Sequence, residues 1–493
     1  MKSTASEKHP IIAFQYKKFF SFDYFITQKM RLLPAETLAE WERKSKENPP
    51  VFPDFSFEER QYAYNAFLAH LGVNRIASAQ TIRRWFGLAG SVRPDREMIF
   101  RLALSLFIIP EDLEEYLTIG IGENGVQIND YRELIFLYCC KHHFVYTEAL
   151  RFIKLFEDQL SSSTILKQHN DTEGLWQQYL SVCDKSWEDF FHWMTEQNTL
   201  FKGYSMTTLH YFQSLQEDIL TQIKQEADYH LSLLLAETDF PMQFGGETSL
   251  ETSIDKNIVQ FIKENENLQS RKISEQMYQS IKELYAISRS SVHSNRKLLL
   301  ELYASMDKKL NNTQRKWLKD TLGLTLMDFR YLSEIFSIGT QIQHVQTLFL
   351  LQKQLENKKK DQRCPSALCK EAVALGFPES GYASVKKVLL WIEETLAAQK
   401  VRCRILRRND ILCLLFYDIY LQYNSSQTKD DMAYNRKTAW ETFHRKADSI
   451  LHSCRMASLA PEVFPLDAFF QECFREDDMF SLADTLEYIA QNM

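Results

Sequence analysis

The chain has 493 residues, 45% apolar and 25% charged, with 34 Phe and 22 Tyr; it can bury several cores, and ordinary domain sizes suggest about two to four domains. A net charge of −7 excludes general attraction to nucleic acid, so any such site must be a local basic patch. Only 14 Gly and 12 Pro interrupt abundant helix formers, which favours an all-α fold; the nine scattered cysteines read as reduced, buried core residues.

The opening Met1–Pro10 lacks the apolar centre of a signal peptide. No run of about 20 uncharged apolar residues occurs, and the longest, Ile411–Tyr417, ends at Asp418. No membrane and a cytoplasmic location are therefore expected. Residues 1–33 read as an N-terminal extension carrying Phe19, Phe20 and Phe25. A short helical stretch at Pro34–Trp41 precedes Asn48-Pro-Pro-Val-Phe-Pro53, whose prolines break any helix. Ser56-Phe-Glu-Glu59 is a capping box opening a helix with Tyr64, Phe67, Leu68 and Leu71 on one face, stopped by Gly72. Ser78 caps the next helix, Pro94 sits in the first turn of another, and Pro110 opens a further one. Five short helices with tight turns are thus predicted between Trp41 and Leu117.

Beyond Asp130 the helices lengthen, with apolar stripes at Tyr131–Tyr138 and Ala149–Phe156. Ser161–Asp171 reads as a linker, and long helical segments are predicted at 176–197, 206–237, 255–289, 294–310 and 326–357. Phe240–Gly246 marks an internal boundary, and Lys358-Lys-Lys-Asp-Gln-Arg-Cys-Pro365 a charged break. The divisions read are 34–121, 122–240, 252–357 and 364–493. No sustained strand alternation and no fixed-period repeat is visible; the large multi-helix region is compatible with a degenerate solenoid.

One stretch carries chemistry. Ser78-Ala-Gln-Thr-Ile-Arg-Arg-Trp-Phe-Gly87 is a capped helix with a glycine stop, followed by Arg93-Pro94 and a helix containing Leu102-Ala103-Leu104-Ser105-Leu106. With Leu71-Gly72-Val73 before it and Glu111–Leu117 after it, the segment 34–121 resembles the lambda-repressor-like (Cro/C1, XRE) helix-turn-helix family. Asn74–Ala77 lengthens the turn before the recognition helix, and a proline-rich link precedes the domain. The resemblance implies a helix that enters the major groove of double-stranded DNA with its N-terminal residues on base edges. Gln80 then suits adenine, Arg84 guanine, and Thr81 a thymine methyl or a phosphate, with Arg83 on the same helix. Arg75, Arg93 and Arg96 would contact the phosphate backbone, and Ile82 and Trp85 would face the core. Between Gly72 and Arg101, six arginines stand against Asp95 and Glu97 alone. The bland reading is a small helical domain whose arginines are solvated.

Other clusters are weaker. Cys139, His142 and His143 share a helical face but have no second cluster to complete a zinc site. Cys364 and Cys369 lack knuckle spacing. Lys400, Arg404, Arg407 and Arg408 share a face that reads as a phosphate strip or a docking surface for an acidic partner, could equally be neutralised within the fold by Arg475-Glu-Asp-Asp478, and is read first as a solvated face. Phosphate-binding glycine loops, nucleophile elbows and zinc-protease helices are missing, so no enzyme, no metal and no cofactor is expected. Two functions stay open: a DNA-binding transcriptional regulator with a helical sensing or oligomerisation region, or a helical scaffold whose small domain binds protein. The first implies a homodimer on paired half-sites and a peptide or protein partner for the helical region.

Overall fold

Local capping decides where the first helices begin. The computed structural model describes residues 21–47, 55–72, 76–90, 92–159, 172–201, 205–241, 251–267, 271–289, 347–348, 351–352, 354–356, 358–378, 383–398, 406–424, 434–482, 484–485 and 488. Helices Phe22–Lys29 (α1) and Ala35–Ser45 (α2) lead into Phe57–Leu71 (α3). In α3 the Ser56 hydroxyl accepts from the Glu59 amide at 3.1 Å while the Glu59 carboxylate accepts from the Ser56 amide at 2.8 Å. Ser78 caps Ala79–Trp85 (α4), and Asp95 caps Arg96–Leu106 (α5). Pro94 stands one residue before that cap rather than inside the first turn, where its missing N–H costs nothing. Pro110–Glu115 (α6) continues into a π-turn, Tyr116–Gly120. These are the five short helices expected, α2 to α6.

Tyr131–Lys141 (α7), Tyr146–Gln159 (α8), Thr172–Val182 (α9) and Trp187–Glu196 (α10) follow. The single helix predicted over 176–197 is broken between α9 and α10, because the Ser186 hydroxyl accepts from the Asp189 amide and starts a new helix. Met206–Ala236 (α11) is unbroken over 31 residues, as the sequence predicts. The segment 255–289 divides into Glu251–Glu264 (α12) and Glu275–Ser288 (α13). Asn265 ends the first by bonding back to the Phe261 carbonyl, and Ser274 caps the second. Ser366–Ala374 (α14), Val385–Ala398 (α15), Arg408–Asn424 (α16), Arg436–Ser453 (α17) and Pro465–Cys473 (α18) complete the order. The described residues are all-α, with isolated bridges and no strand. None of their helices is long and apolar enough to cross a membrane. The linker 161–171, the helix predicted at 294–310 and most of that at 326–357 lie outside the described residues.

The chain divides into two compact units that interleave along the sequence, unlike the linear division read from composition. The first comprises 1–211, 337–412 and 444–471, and the second 212–336, 413–443 and 472–493. In the first, one apolar core runs from Phe22 to Phe201 without a break at residue 121. Phe100 of α5 stacks on Phe136 of α7 at 5.1 Å, and Tyr138 of α7 on Phe190 of α10 at 4.2 Å. Such ring pairs add about 0.5–1.5 kcal/mol to what burial alone gives. Helix α1, within the stretch read as an extension, is a core element: Phe25 meets Tyr116 edge-on at 4.9 Å and Tyr24 stacks on Trp41 at 5.0 Å. In the second unit, Leu231 and Leu235 of α11 pack with Ile258 and Phe261 of α12 and Ile281 of α13.

Candidate nucleic-acid interface

Helix α4 has one anchored side and one open side. Ile82 and Trp85 are 1% and 2% exposed, and Trp85 meets Phe22 edge-on at 6.3 Å. Phe86, directly after the helix, is fully buried against Tyr64 and Phe67 of α3. The chain leaves at Gly87 with φ +67°, where a Cβ would run into the guanidinium of Arg60. That guanidinium is fixed by Asp23 at 2.6 Å and by the Phe86 carbonyl at 3.3 Å, so glycine is required by both conformation and space. The loop then folds back, with the Val92 amide donating to the Arg84 carbonyl at 3.3 Å.

On the open side, Gln80 and Arg84 are exposed, one helical turn apart. Neither side chain makes a hydrogen bond or ion pair among the described residues. Thr81 and Arg83 are half-buried and have local roles. The Thr81 hydroxyl pairs with that of Ser78 at 2.8 Å, and the Arg83 guanidinium lies over the Tyr64 ring at 5.7 Å. Arg93 is exposed, with its guanidinium beside Gly122. Arg75 lies outside the described residues.

Arg96 belongs elsewhere. Its Nε and Nη2 grip Glu133 at 2.8 and 2.7 Å, and two further donors reach the carbonyls of Asn124 and Gly125. Burial opposes its charge, but Glu133 overcomes this and drives the pKa further up. This arginine is internal structure: four of its five N–H donors bond within the fold, and its Nη1 also pairs with Glu123 at 3.7 Å. Its partner loop extends the network: the Asn124 side chain donates to the Leu406 carbonyl and accepts from the Arg408 amide. Arg408 is 1% exposed, clamped by Asp467 at 2.6 and 2.8 Å and by the carbonyls of Ala457 and Ser458. The phosphate-strip and solvated-face readings therefore both fail for Arg408, which is buried. Arg407 is exposed, and Lys400 and Arg404 lie outside the described residues.

The Cys-Cys-Lys-His-His run is also built into the fold. Cys139 and Cys140 are buried, and burial pushes both thiols up, Cys140 to about 12. His142 stacks on Tyr138 at 4.3 Å and pairs with the Cys183 carbonyl at 2.8 Å, while His143 carries a positive φ of 58° at the helix end. No group of three or more His, Cys, Asp or Glu able to hold a metal occurs among the described residues.

Sequence reading missed the Arg96–Glu133 and Arg408–Asp467 pairs, whose partners stand 37 and 59 residues apart. It also missed Phe57 and Tyr62 on α3, 60% and 56% exposed, since a single apolar residue gives no sign of which way it faces. No protein-family model matches the chain, and neither curated proteins nor solved structures give a match.

Proposed function

We propose that this protein is a DNA-binding regulator that reads duplex DNA with helix α4, Gln80 and Arg84 being the base-contacting residues. The observation that carries this reading is the division of α4 into an anchored face and an exposed face whose Gln80 and Arg84 have no partner among the described residues. A reading helix needs rigid seating and free donors together, because bidentate contacts of Gln with adenine and Arg with guanine demand fixed geometry. Arg83, on the same helix, is the backbone-contact residue in the proposal; Arg93, whose guanidinium lies beside Gly122, and Arg96 are not included. Fluorescence anisotropy against the DNA upstream of the protein's own coding sequence, beside a scrambled duplex, tests it. Preference for the upstream duplex, lost in Gln80→Ala and Arg84→Ala, is the expected result. Each substitution should cost about 1–3 kcal/mol of discrimination. Equal binding by wild type and both variants would remove the reading.

A second reading, a helical scaffold that binds protein through this domain, is favoured by the exposed Phe57 and Tyr62. It predicts no discrimination between duplexes, together with loss of a protein partner on Phe57→Ser and Tyr62→Ser.

A further inference from the structure

The charged break at residue 358 is one half of a larger basic surface. Gln362 and Cys364 pair with the segment before α15: the Val385 amide donates to the Gln362 carbonyl at 3.0 Å, and the Cys364 amide donates to Ala383 at 2.9 Å. The Lys386 amide donates to the Lys360 carbonyl at 2.9 Å. Two stretches some twenty residues apart in sequence are thereby fastened together. They bring together Lys358, Lys359, Lys360, Arg363, Lys386 and Lys387, all exposed, with Asp361 among them and the exposed Glu356 two residues before Lys358. Lys358, Lys359, Lys360 and Lys386 make no ion pair among the described residues.

The position is costly for the fold. Lys386 and Lys387 occupy the first turn of the 14-residue helix α15, which holds no acidic residue there. Helix α14 also begins beside Arg363, at Ser366. Helix N-termini carry positive partial charge and unpaired amides, so cations at them repel the helix ends and each other. A solvated face has no need to gather cations at two helix starts in a chain of net charge −7. An extended polyanion offsets all of these repulsions at once.

We propose that this surface binds the phosphate backbone of duplex DNA without reading its bases. The choice of DNA rests on the reading of α4, which lies in the same compact unit. Base reading needs separate backbone contacts to hold register, and it is these contacts that supply most of the salt-dependent affinity.

The test uses the full-length protein and a short duplex of arbitrary sequence, followed by anisotropy across a salt series. Two variants are compared with wild type. One carries Lys359→Ala, Lys360→Ala, Lys386→Ala and Lys387→Ala. The other carries Lys358→Glu and Lys359→Glu, outside any helix. Weakened binding of both is expected, with the slope of log affinity against log salt falling by about 0.9 for each contacting lysine removed. The Tm of the first variant should hold or rise, because repulsion at α15 has been relieved. That result supports the inference even if Gln80→Ala and Arg84→Ala change nothing, in which case only the α4 reading falls. Unchanged affinity and slope in both variants would overturn the inference while leaving the α4 reading to its own test. Wild-type binding to vesicles of phosphatidylcholine and phosphatidylserine, lost in the variants and without duplex binding, would assign the surface to lipid and overturn it as well.

Discussion

Arg408 and Asp467 show how much a single residue carries here. Both are shut away from solvent, and two short bonds join them. Taking one partner away strands the other's charge in the interior, so Asp467→Ala or Arg408→Ala should cost about 3–5 kcal/mol in urea unfolding. Replacing the pair together, Arg408→Met with Asp467→Leu, should recover most of that loss, because no charge is then stranded. Recovery no better than the single variants would show that the hydrogen bonds to Ala457 and Ser458 matter more than the charge. Glu114 is a different case. Burial raises its pKa above the ordinary carboxylate value, although the Val126 amide and Arg455 pull it down. A raised folded value means that the group favours folding below its unfolded pKa and loses that contribution as pH rises through the folded value. Glu114→Gln should therefore flatten the dependence of Tm on pH just above the ordinary carboxylate range, and an unchanged profile would contradict the assignment. The eight cysteines among the described residues are all free and buried, and burial raises Cys139, Cys140, Cys454 and Cys473. Thiolate is the reactive form, so these four should resist alkylation in the native protein and react after unfolding.

At the scale of the element, helix α4 separates stability from recognition. Seven residues are too few to hold a helix alone, so its order comes from Trp85 and Ile82 in the core and from the Ser78 cap. Trp85→Ala should cost about 3–5 kcal/mol, and Ser78→Ala about 1 kcal/mol. Arg84→Ala and Gln80→Ala sit on the solvent side and should change stability by less than about 0.5 kcal/mol. Thermal unfolding of these four variants measures the contrast directly. A large loss on Arg84→Ala would show the residue holding the fold together, which the exposed placement does not allow for. Helix α1 makes the complementary point. Its partners, Trp41, Trp85 and Tyr116, lie far along the chain, so nothing in its own eight residues marked it as core.

Across the whole molecule, what the sequence made legible follows the range of the interaction. The capping box at Ser56–Glu59, the cap at Ser78 and the inward faces of Ile82 and Trp85 are short-range patterns, and each is present. The break at Ser186 is short-range too, but it was hidden because apolar spacing continues through it. The all-α class came from composition, where few breakers meet many helix formers. The ion pairs of Arg96 and Arg408, the core role of α1 and the interleaving of the two units need contacts between distant segments, which no local spacing encodes. For the same reason the local sequence places Arg96 on the surface, whereas the fold pairs it with Glu133. The basic surface of Lys360 and Lys386 was half visible as a charge run, and its other half became apparent only through backbone pairing. Whether Gln80 and Arg84 read base sequence is decided by selecting binding duplexes from a fully randomised pool with wild type and with the Gln80→Ala, Arg84→Ala double variant. Wild type should enrich one motif containing adjacent adenine and guanine contacts, and the variant none. The same motif recovered by both proteins, or by neither, would contradict base reading by these two residues.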